Sequence, residues 1–262
     1  ERMQEIKHNY DQILELCRQT PGCYIHSEDS RSALEVSEQE RLAFWEKLYA
    51  EPGFGIWQGN FKDVLNDPAA NALMCEFLAD KIRMRVKDPA VAERLIPKDH
   101  GFGTRRVPQE TGYYEAFNRD NVRLVDINED PIKEIFEGGV RTAGSDIDLD
   151  VLIYATGFDA ITGAFERIDI EGLGGKKLRR LWRDGPVTYL GVLVADFPNM
   201  FICMGPHSGL GNYTRTAEYS VEWVSELIEH AIANKKNRVE TTEEGMDEWT
   251  GHVMSLGEGL LM

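Results

Sequence analysis

The sequence predicts an α/β protein in which a helical N-terminal segment, residues 1–97, precedes a series of short β-strands. Apolar residues recur at helical spacing up to residue 97. After residue 99, short apolar runs alternate with Gly, Asp and Asn, a pattern typical of strands and turns. Hydrophobic residues make up 42% of the 262-residue chain, which is enough for a sizeable core.

Charge and cysteine content limit the functions that the chain can have. The formal net charge of −16 repels polyanions, so we expect no nucleic-acid partner. The uncharged stretch 197–214 contains prolines and glycines and cannot form a continuous membrane helix, so we expect no membrane partner. The cysteines contain no C-x-x-C pair, which predicts reduced thiols, a cytoplasmic location and no metal site; they are Cys17, Cys23, Cys75 and Cys203.

Four helices are predicted in the N-terminal segment. Apolar spacing predicts the first over 6–17, and a capping-box sequence at Ser37–Glu40 opens the second, which covers 42–49. The third extends from the Asp67-Pro68 start to Val86. Asp88-Pro89 then ends it and begins a shorter helix over 91–95.

The second half of the chain alternates short strands with glycine-rich turns and closes with a helix. Strands are predicted over 122–125, 132–135, 139–141, 151–154, 190–194 and 200–204. The run 151–154 is wholly apolar, as expected of a buried strand in a parallel sheet. We expect 122–125, 151–154, 190–194 and 200–204 to join parallel or mixed sheets. An amphipathic helix is predicted over 214–233, and the acidic C-terminal stretch from Glu218 onward is predicted to provide a solvated surface.

Two of the turns that follow predicted strands could bind a ligand. Ala155-Thr156-Gly157-Phe158-Asp159 follows an apolar strand, and its small residues would let backbone N–H groups approach a phosphate or ribose. The segment 205–212 precedes a helix, whose N-terminus suits an electron-rich group. The alternative is that glycine serves only steric needs in these turns.

A third candidate is the loop Gly101–Pro108, which contains Arg105 and Arg106. Basic residues precede it in this otherwise acidic protein: Lys81, Arg83, Arg85, Lys87, Arg94 and Lys98. Such an island suits a phosphorylated cofactor or an anionic intermediate, although a solvated helix surface is the alternative for most of the six. Arg105 and Arg106 differ because they lie in a loop bounded by Gly and Pro, where functional residues concentrate.

Many short motifs occur in one order along the chain. They include Lys87-Asp88-Pro89, Pro97-Lys98-Asp99, Gly103-Thr104-Arg105-Arg106, 113–122, 155–160, Leu181-Trp182, Gly185-Pro186, Tyr189-Leu190-Gly191, 197–201, Gly205-Pro206 and 221–224. Together they resemble the later half of a flavin-dependent Baeyer–Villiger monooxygenase of the cyclohexanone, phenylacetone and steroid monooxygenase type. The resemblance covers nearly the whole chain, and the shared order makes it far more specific than any single motif.

The resemblance implies a partial two-dinucleotide-binding-domain flavoprotein fold, with incomplete Rossmann-like domains and an N-terminal helical segment. Residues 1–100 would be the helical insert of the NADPH-binding domain and 101–150 the remainder of that domain with the return crossing. Residues 151–262 would be the C-terminal part of the FAD-binding domain. In the complete family enzyme, NADPH reduces bound FAD and one oxygen atom of O2 is inserted next to a ketone carbonyl, giving an ester or lactone.

Site residues follow from the same resemblance. Arg106 matches the active-site arginine, whose cation stabilises negative charge on oxygen. Arg105 occupies a position where relatives often have Lys, near the nicotinamide nucleotide. The remaining cofactor-binding candidates are Ala155, Thr156, Gly157, Phe158, Asp159, Gly205, Pro206, Ser208, Gly209 and Asn212.

Several family features are absent from the sequence. No G-x-G-x-x-G fingerprint occurs, and neither does the family segment with spaced Phe, Gly, His and Trp-Pro. We therefore expect the chain to begin inside the helical insert, to stop before the usual C-terminal segment, and not to be redox-competent by itself. Its missing half would come from a longer chain or a second polypeptide.

Two other hypotheses remain at this point. The chain could be a truncated relative that binds no cofactor and acts as a non-redox enzyme, catalysing a rearrangement or cyclisation, or as a binding protein. It could also be a structural remnant. Absorbance in the flavin band would distinguish a flavoprotein from these alternatives.

Overall fold

A computed structural model describes residues 2–20, 22–208 and 211–261. The chain divides into two compact units, which are treated separately below. The first comprises the chain up to Ser30, Trp45–Phe61 and Phe158–Leu260, and the second consists mainly of Arg31–Phe44 and Lys62–Gly157.

The N-terminal segment is helical, as predicted. Its helices are α1 (Arg2–His8), α2 (Tyr10–Arg18), α3 (Glu38–Ala50), α4 (Gly55–Gln58), α5 (Pro68–Arg85) and α6 (Pro89–Leu95). The predicted starts have the expected physical basis. The Asp67 carboxylate accepts hydrogen bonds from the first free N–H groups of α5, and Asp88 does the same for α6. Ser37 Oγ accepts from Glu40 N at 3.2 Å at the start of α3.

The second unit contains a three-stranded antiparallel sheet and a short helix, α7 (Tyr113–Ala116). The strands are β1 (Ile132–Phe136), β2 (Gly139–Thr142) and β3 (Asp146–Asp148), in the order β1-β2-β3. The first two confirm predicted strands. Val140 and Thr142 of β2 are buried, whereas β1 and β3 are mostly exposed.

The prediction that segments 122–125, 151–154, 190–194 and 200–204 join parallel or mixed sheets was wrong. Within the described residues none of these segments belongs to a sheet, and only the isolated bridge between Tyr189 and Leu193 involves one of them. A strand exists only if a neighbouring strand satisfies its backbone N–H and C=O groups, and an apolar run does not reveal such a neighbour. Residues 151–154 are accordingly extended and exposed, with Ile153 81% exposed.

Two of these segments, 190–194 and 200–204, nevertheless contribute buried residues to the core of the first unit. One cluster contains Leu178, Trp182, Val194, Ala195, Phe197, Ile202 and Met246. The other contains Val192, Leu193 and Val224. The helices of this unit after residue 158 are α8 (Gly163–Glu166), a 3-10 turn (Leu173–Gly175), α9 (Leu178–Leu181), α10 (Tyr213–Ala233) and α11 (Glu243–Gly257).

The helix α10 confirms the predicted amphipathic helix, but α11 was missed. Its acidic sequence indicated a solvated surface, yet Thr242 caps it by accepting from Gly245 N at 3.1 Å. Glu243 and Glu244 lie in its first turn, where negative charge is favourable, and Met246 is buried in the core. None of the helices within the described residues has the length and apolar character needed to cross a membrane.

Candidate functional site

The loop that contains Arg105 and Arg106, called the arginine loop below (Gly101–Pro108), presents both arginines on the protein surface. Arg105 is 65% exposed and pairs with Asp99 at 3.0 Å. The side chain of Arg106 is also exposed. The turn that opens the loop is closed by Thr104 Oγ1, which donates to the carbonyl of Gly101 at 2.9 Å.

A buried amide holds the upstream end of the arginine loop. Asn71, on α5, is only 4% exposed. Its Oδ1 accepts from Phe102 N at 3.0 Å, and its Nδ2 donates to Phe102 O and Val64 O, both at 2.8 Å. A Cβ atom at Gly101 would lie 2.4 Å from Asn71 Oδ1, so only glycine fits beside this contact.

An ion-pair cluster holds the chain just downstream of the loop. Arg85, at the end of α5, donates to Glu110 Oε1 at 2.7 Å and to both carboxylate oxygens of Glu115 at 2.6 and 2.7 Å. Glu110 Oε2 also accepts from Tyr113 N at 2.8 Å. Hydrogen bonds from Arg85 lower the pKa of Glu115 to about 2. The guanidinium lies over the Tyr114 ring, 5.0 Å from its centroid.

Three arginines of the predicted basic island have carboxylate partners. Arg83 contacts Glu76, Asp80 and Glu93, and Arg94 contacts Glu129 at 3.0 Å, while Arg85 belongs to the cluster just described. Lys81 lies over the Phe77 ring, 5.1 Å from its centroid. An incoming phosphate would therefore have to compete with carboxylates already bound to these arginines.

The segment Ala155–Asp159 is exposed throughout, with Phe158 99% exposed. Gly157 has φ +86 and open space where a Cβ would point, so its turn follows from the backbone conformation that glycine allows. The segment does not lie at the edge of a described sheet, contrary to the prediction.

In the segment 205–212, which precedes α10, residues 205–208 form a tight turn. Ser208 Oγ donates to Gly205 O and accepts from Gly205 N at 3.2 Å. Asn212 N donates to Gly22 O at 2.9 Å. Gly209 lies outside the described residues. A cavity of about 230 Å³ is lined by Ile161, Gly205, Pro206, His207, Ser208, Tyr213 and Val253.

His207 was not among the predicted site residues, although it lines this cavity. Its Nδ1 lies 3.0 Å from the hydroxyl of Thr188, which is fully buried. Thr188 is in turn held by Thr250 of α11, whose hydroxyl accepts from Thr188 N at 3.2 Å. His207 has φ +61, uncommon for a residue other than glycine, and burial lowers its pKa. A lone His in a glycine-rich loop before a helix was the only sequence signal for it.

The chain is similar to several known monooxygenases, although no protein-family model matches it. A 2-oxo-Δ3-4,5,5-trimethylcyclopentenylacetyl-CoA monooxygenase of Pseudomonas putida is 47% identical over 97% of this chain and 47% of its own length. A cyclohexanone 1,2-monooxygenase of Acinetobacter sp. is 38% identical over 98% of the chain and 48% of its own. A crystal structure of OTEMO in complex with FAD and NADP superposes with a TM-score of 0.95 at 45% identity, covering 99% of this chain and 48% of that one.

The chain belongs to the Baeyer–Villiger monooxygenase family. It spans about half the length of the relatives it matches. The superposition with a Baeyer–Villiger structure also confirms the predicted class, a partial α/β flavoprotein fold. The class was therefore correct, and so were the strands at β1 and β2, whereas the four segments predicted to join parallel or mixed sheets were assigned wrongly.

The cavity beside His207 could hold at most part of a dinucleotide cofactor. The cavity of about 230 Å³ beside His207 is smaller than the range of about 300–1,000 Å³ that is typical of small-molecule pockets. It lies beside the first residue of α10, Tyr213, where the helix dipole favours an electron-rich group. The described part of the chain contains no group of three or more His, Cys, Asp or Glu side chains that could hold a metal ion.

Proposed function

We propose that this chain is the later part of an FAD- and NADPH-dependent Baeyer–Villiger monooxygenase. That enzyme inserts one oxygen atom of O2 next to the carbonyl of a small ketone and gives an ester or lactone. The observation that carries the proposal is the match of 99% of the chain, at a TM-score of 0.95, to a relative crystallised with FAD and NADP.

Arg106 is the proposed catalytic residue. FAD, when bound and reduced by NADPH, supplies the electrons for oxygen activation. A guanidinium beside the reacting oxygen stabilises the negative charge that develops there. The exposure of Arg106 in the arginine loop supports this role, because the side chain can reach a substrate. Arg105 is proposed to contact the nicotinamide nucleotide.

The turns at 155–159 and 205–212 are the proposed flavin contacts. Ser208 and Gly205 fix the shape of the second turn through their mutual hydrogen bonds, so its backbone can lie flat against a ring. The proposed contact residues here are Gly205, Pro206, Ser208, Gly209 and Asn212. In the first turn they are Ala155, Thr156, Gly157, Phe158 and Asp159.

We propose that the strands that complete the fold come from the rest of a longer chain or from a second polypeptide. The extended apolar run 151–154 and Phe158 support this, because they expose apolar surface that a neighbouring strand would cover. Addition of a strand to such a segment is a common mode of association. The four cysteines are free, which suits a reducing compartment, and we propose the cytoplasm.

A chimera provides the test. The part of the Pseudomonas putida relative that lies outside the match is fused in front of this chain, and the product is assayed with FAD, NADPH and a panel of cyclic ketones. We expect bound flavin and formation of a lactone detected by mass spectrometry. A folded chimera that binds flavin but oxygenates none of the ketones, when the intact relative does so, would contradict the proposal.

A further inference from the structure

We propose that α5 holds the arginine loop at two points, with Asn71 and Arg85 as positioning residues for Arg105 and Arg106. The importance of the two arginines rests on the proposed function, whereas the attachment of the loop to α5 can be tested without it. Both contacts belong to the same compact unit and to one continuous helix.

The first contact fixes the backbone of the loop. Asn71 uses its amide to satisfy both the N–H and the C=O of Phe102, as a neighbouring strand would. Phe102 and Asn71 are both buried, so breaking these bonds leaves polar groups without partners in the interior. Detaching this end of the loop from α5 therefore costs more free energy than breaking an exposed contact.

The second contact is electrostatic and lies nearer the surface. Arg85 joins Glu110, which follows the arginine loop, to Glu115 of α7. Asn118 adds two further bonds to the same end of α5, donating to Arg85 O and accepting from Lys87 N, both at 2.7 Å. A planar guanidinium that binds two carboxylates has little freedom to rotate, so Glu110 is held in place.

The two contacts lie far apart on α5, and the arginine loop spans the distance between them. Asn71 and Arg85 are 85 − 71 = 14 residues apart on α5, so their Cα atoms are about 21 Å apart at the helical rise. The eight steps from Phe102 to Glu110 span at most about 26–29 Å when fully extended. The turn closed by Thr104 and Gly101 shortens that reach further. The Arg85 and Glu110 side chains bridge part of the distance, so the chain between the two contacts connects them without being fully extended.

Limited trypsin digestion of the purified chain tests the hold, because trypsin cleaves after Arg105 and Arg106. Arg85→Gln should raise the rate of cleavage there about tenfold, since the rate follows the population of the released loop. Glu110→Gln should also accelerate cleavage. The double variant should be cleaved little faster than either single variant, because both substitutions break the same Arg85–Glu110 ion pair. Fragments are identified by mass spectrometry.

Arg83→Gln is the matched control. Arg83 lies on the same helix and also binds several carboxylates, but the partners of its ion pairs lie on α5 and α6 and none belongs to the loop. It should change the cleavage rate by less than about twofold, as expected of surface ion pairs. Equal acceleration by Arg83→Gln and Arg85→Gln, or no acceleration by Arg85→Gln and Glu110→Gln, would overturn the proposal. Replacement of buried Asn71 risks unfolding, so the test uses the exposed contact.

A second measurement tests whether the contact made by Arg85 affects the proposed reaction. In the chimera described above, Arg85→Gln should lower kcat for the lactone more than it raises KM for the ketone, because displacement of Arg106 weakens the stabilisation of the reacting oxygen more than it weakens ketone binding. A variant with normal kcat per folded molecule would show that Arg85 only stabilises the fold. If the unmodified chimera folds and binds flavin but forms no lactone from ketones that the intact relative oxygenates, the proposed function fails, while the digestion result still decides whether the loop is held.

Discussion

Arg85 and Glu115 form a bidentate ion pair, with Nε to Oε1 at 2.6 Å and Nη2 to Oε2 at 2.7 Å. The pair crosses from the end of α5 to α7, so it ties two elements that are 30 residues apart in sequence. Its geometry favours the ionised carboxylate, which is why the pKa of Glu115 falls from 4.5 to about 2.

The pH dependence of stability should therefore contain a contribution from Glu115. The folded-state pKa is below the unfolded value, so the contribution is fully present above pH 4.5 and is lost as the pH falls toward 2. We expect Glu115→Gln to reduce the free energy of unfolding near pH 6 and to have little effect near pH 2. Urea unfolding at several pH values measures this difference. A difference that stays constant with pH would contradict the ion-pair explanation.

His207 should titrate below its usual range. Burial disfavours the imidazolium and lowers the pKa from 6.5, so the folded state binds fewer protons than the unfolded chain. The free energy of unfolding should then decrease as the pH drops through and below 6.5. An NMR titration, with the signal assigned from its absence in His207→Asn, gives the value.

His207→Asn is suited to this test because Asn tolerates the left-handed backbone at φ +61. In the variant, the free energy of unfolding should decrease less as the pH falls below 6.5, because the contribution of the His207 imidazole is gone. A pKa at or above 6.5, or an unchanged pH profile of unfolding in the variant, would show that the imidazole is not constrained as the structure indicates.

The isolated chain should bind FAD weakly or not at all. The pyrophosphate of a dinucleotide depends on a glycine-rich turn and helix N-terminus in a βαβ unit, and the sequence contains no G-x-G-x-x-G. The remaining contacts would have to offset the whole cost of ordering the ligand. Equilibrium dialysis against FAD, followed by absorbance in the flavin band, checks this. Stoichiometric yellow protein would contradict it.

Local rules explain which parts of the fold the sequence could predict. Asp67-Pro68 and Asp88-Pro89 combine a capping carboxylate with a residue that fits only the first helical turn, so α5 and α6 begin as expected. Strand pairing is not local. The run 151–154 has the composition of a buried strand, but its composition does not show which segment would pair with it.

In the candidate site, too, local features could be predicted from the sequence and long-range contacts could not. The glycine and proline that bound the arginine loop are visible in the sequence, so Arg105 and Arg106 could be singled out. The ion pairs that hold the arginine loop could not be predicted, because Glu110 and Glu115 lie 25 and 30 residues from their partner Arg85 in the sequence. Thr188 and His207 are 19 residues apart, and no pattern at that spacing indicates a hydrogen bond.

The most direct test of the proposed function is the product balance of Arg106→Ala in the chimera. Lactone formation and NADPH oxidation are measured side by side, with the melting temperature checked for each protein. If Arg106 stabilises charge on the reacting oxygen, the variant should continue to oxidise NADPH while lactone formation falls at least about 100-fold.

Arg106→Lys should restore little, because a single ammonium cannot reproduce the planar guanidinium. If Arg106 instead binds only a neighbouring carboxylate, the variant should lose stability and keep its lactone yield per folded molecule. The proposed function therefore predicts NADPH oxidation without lactone from Arg106→Ala. A normal lactone yield from that variant would contradict the catalytic assignment of Arg106.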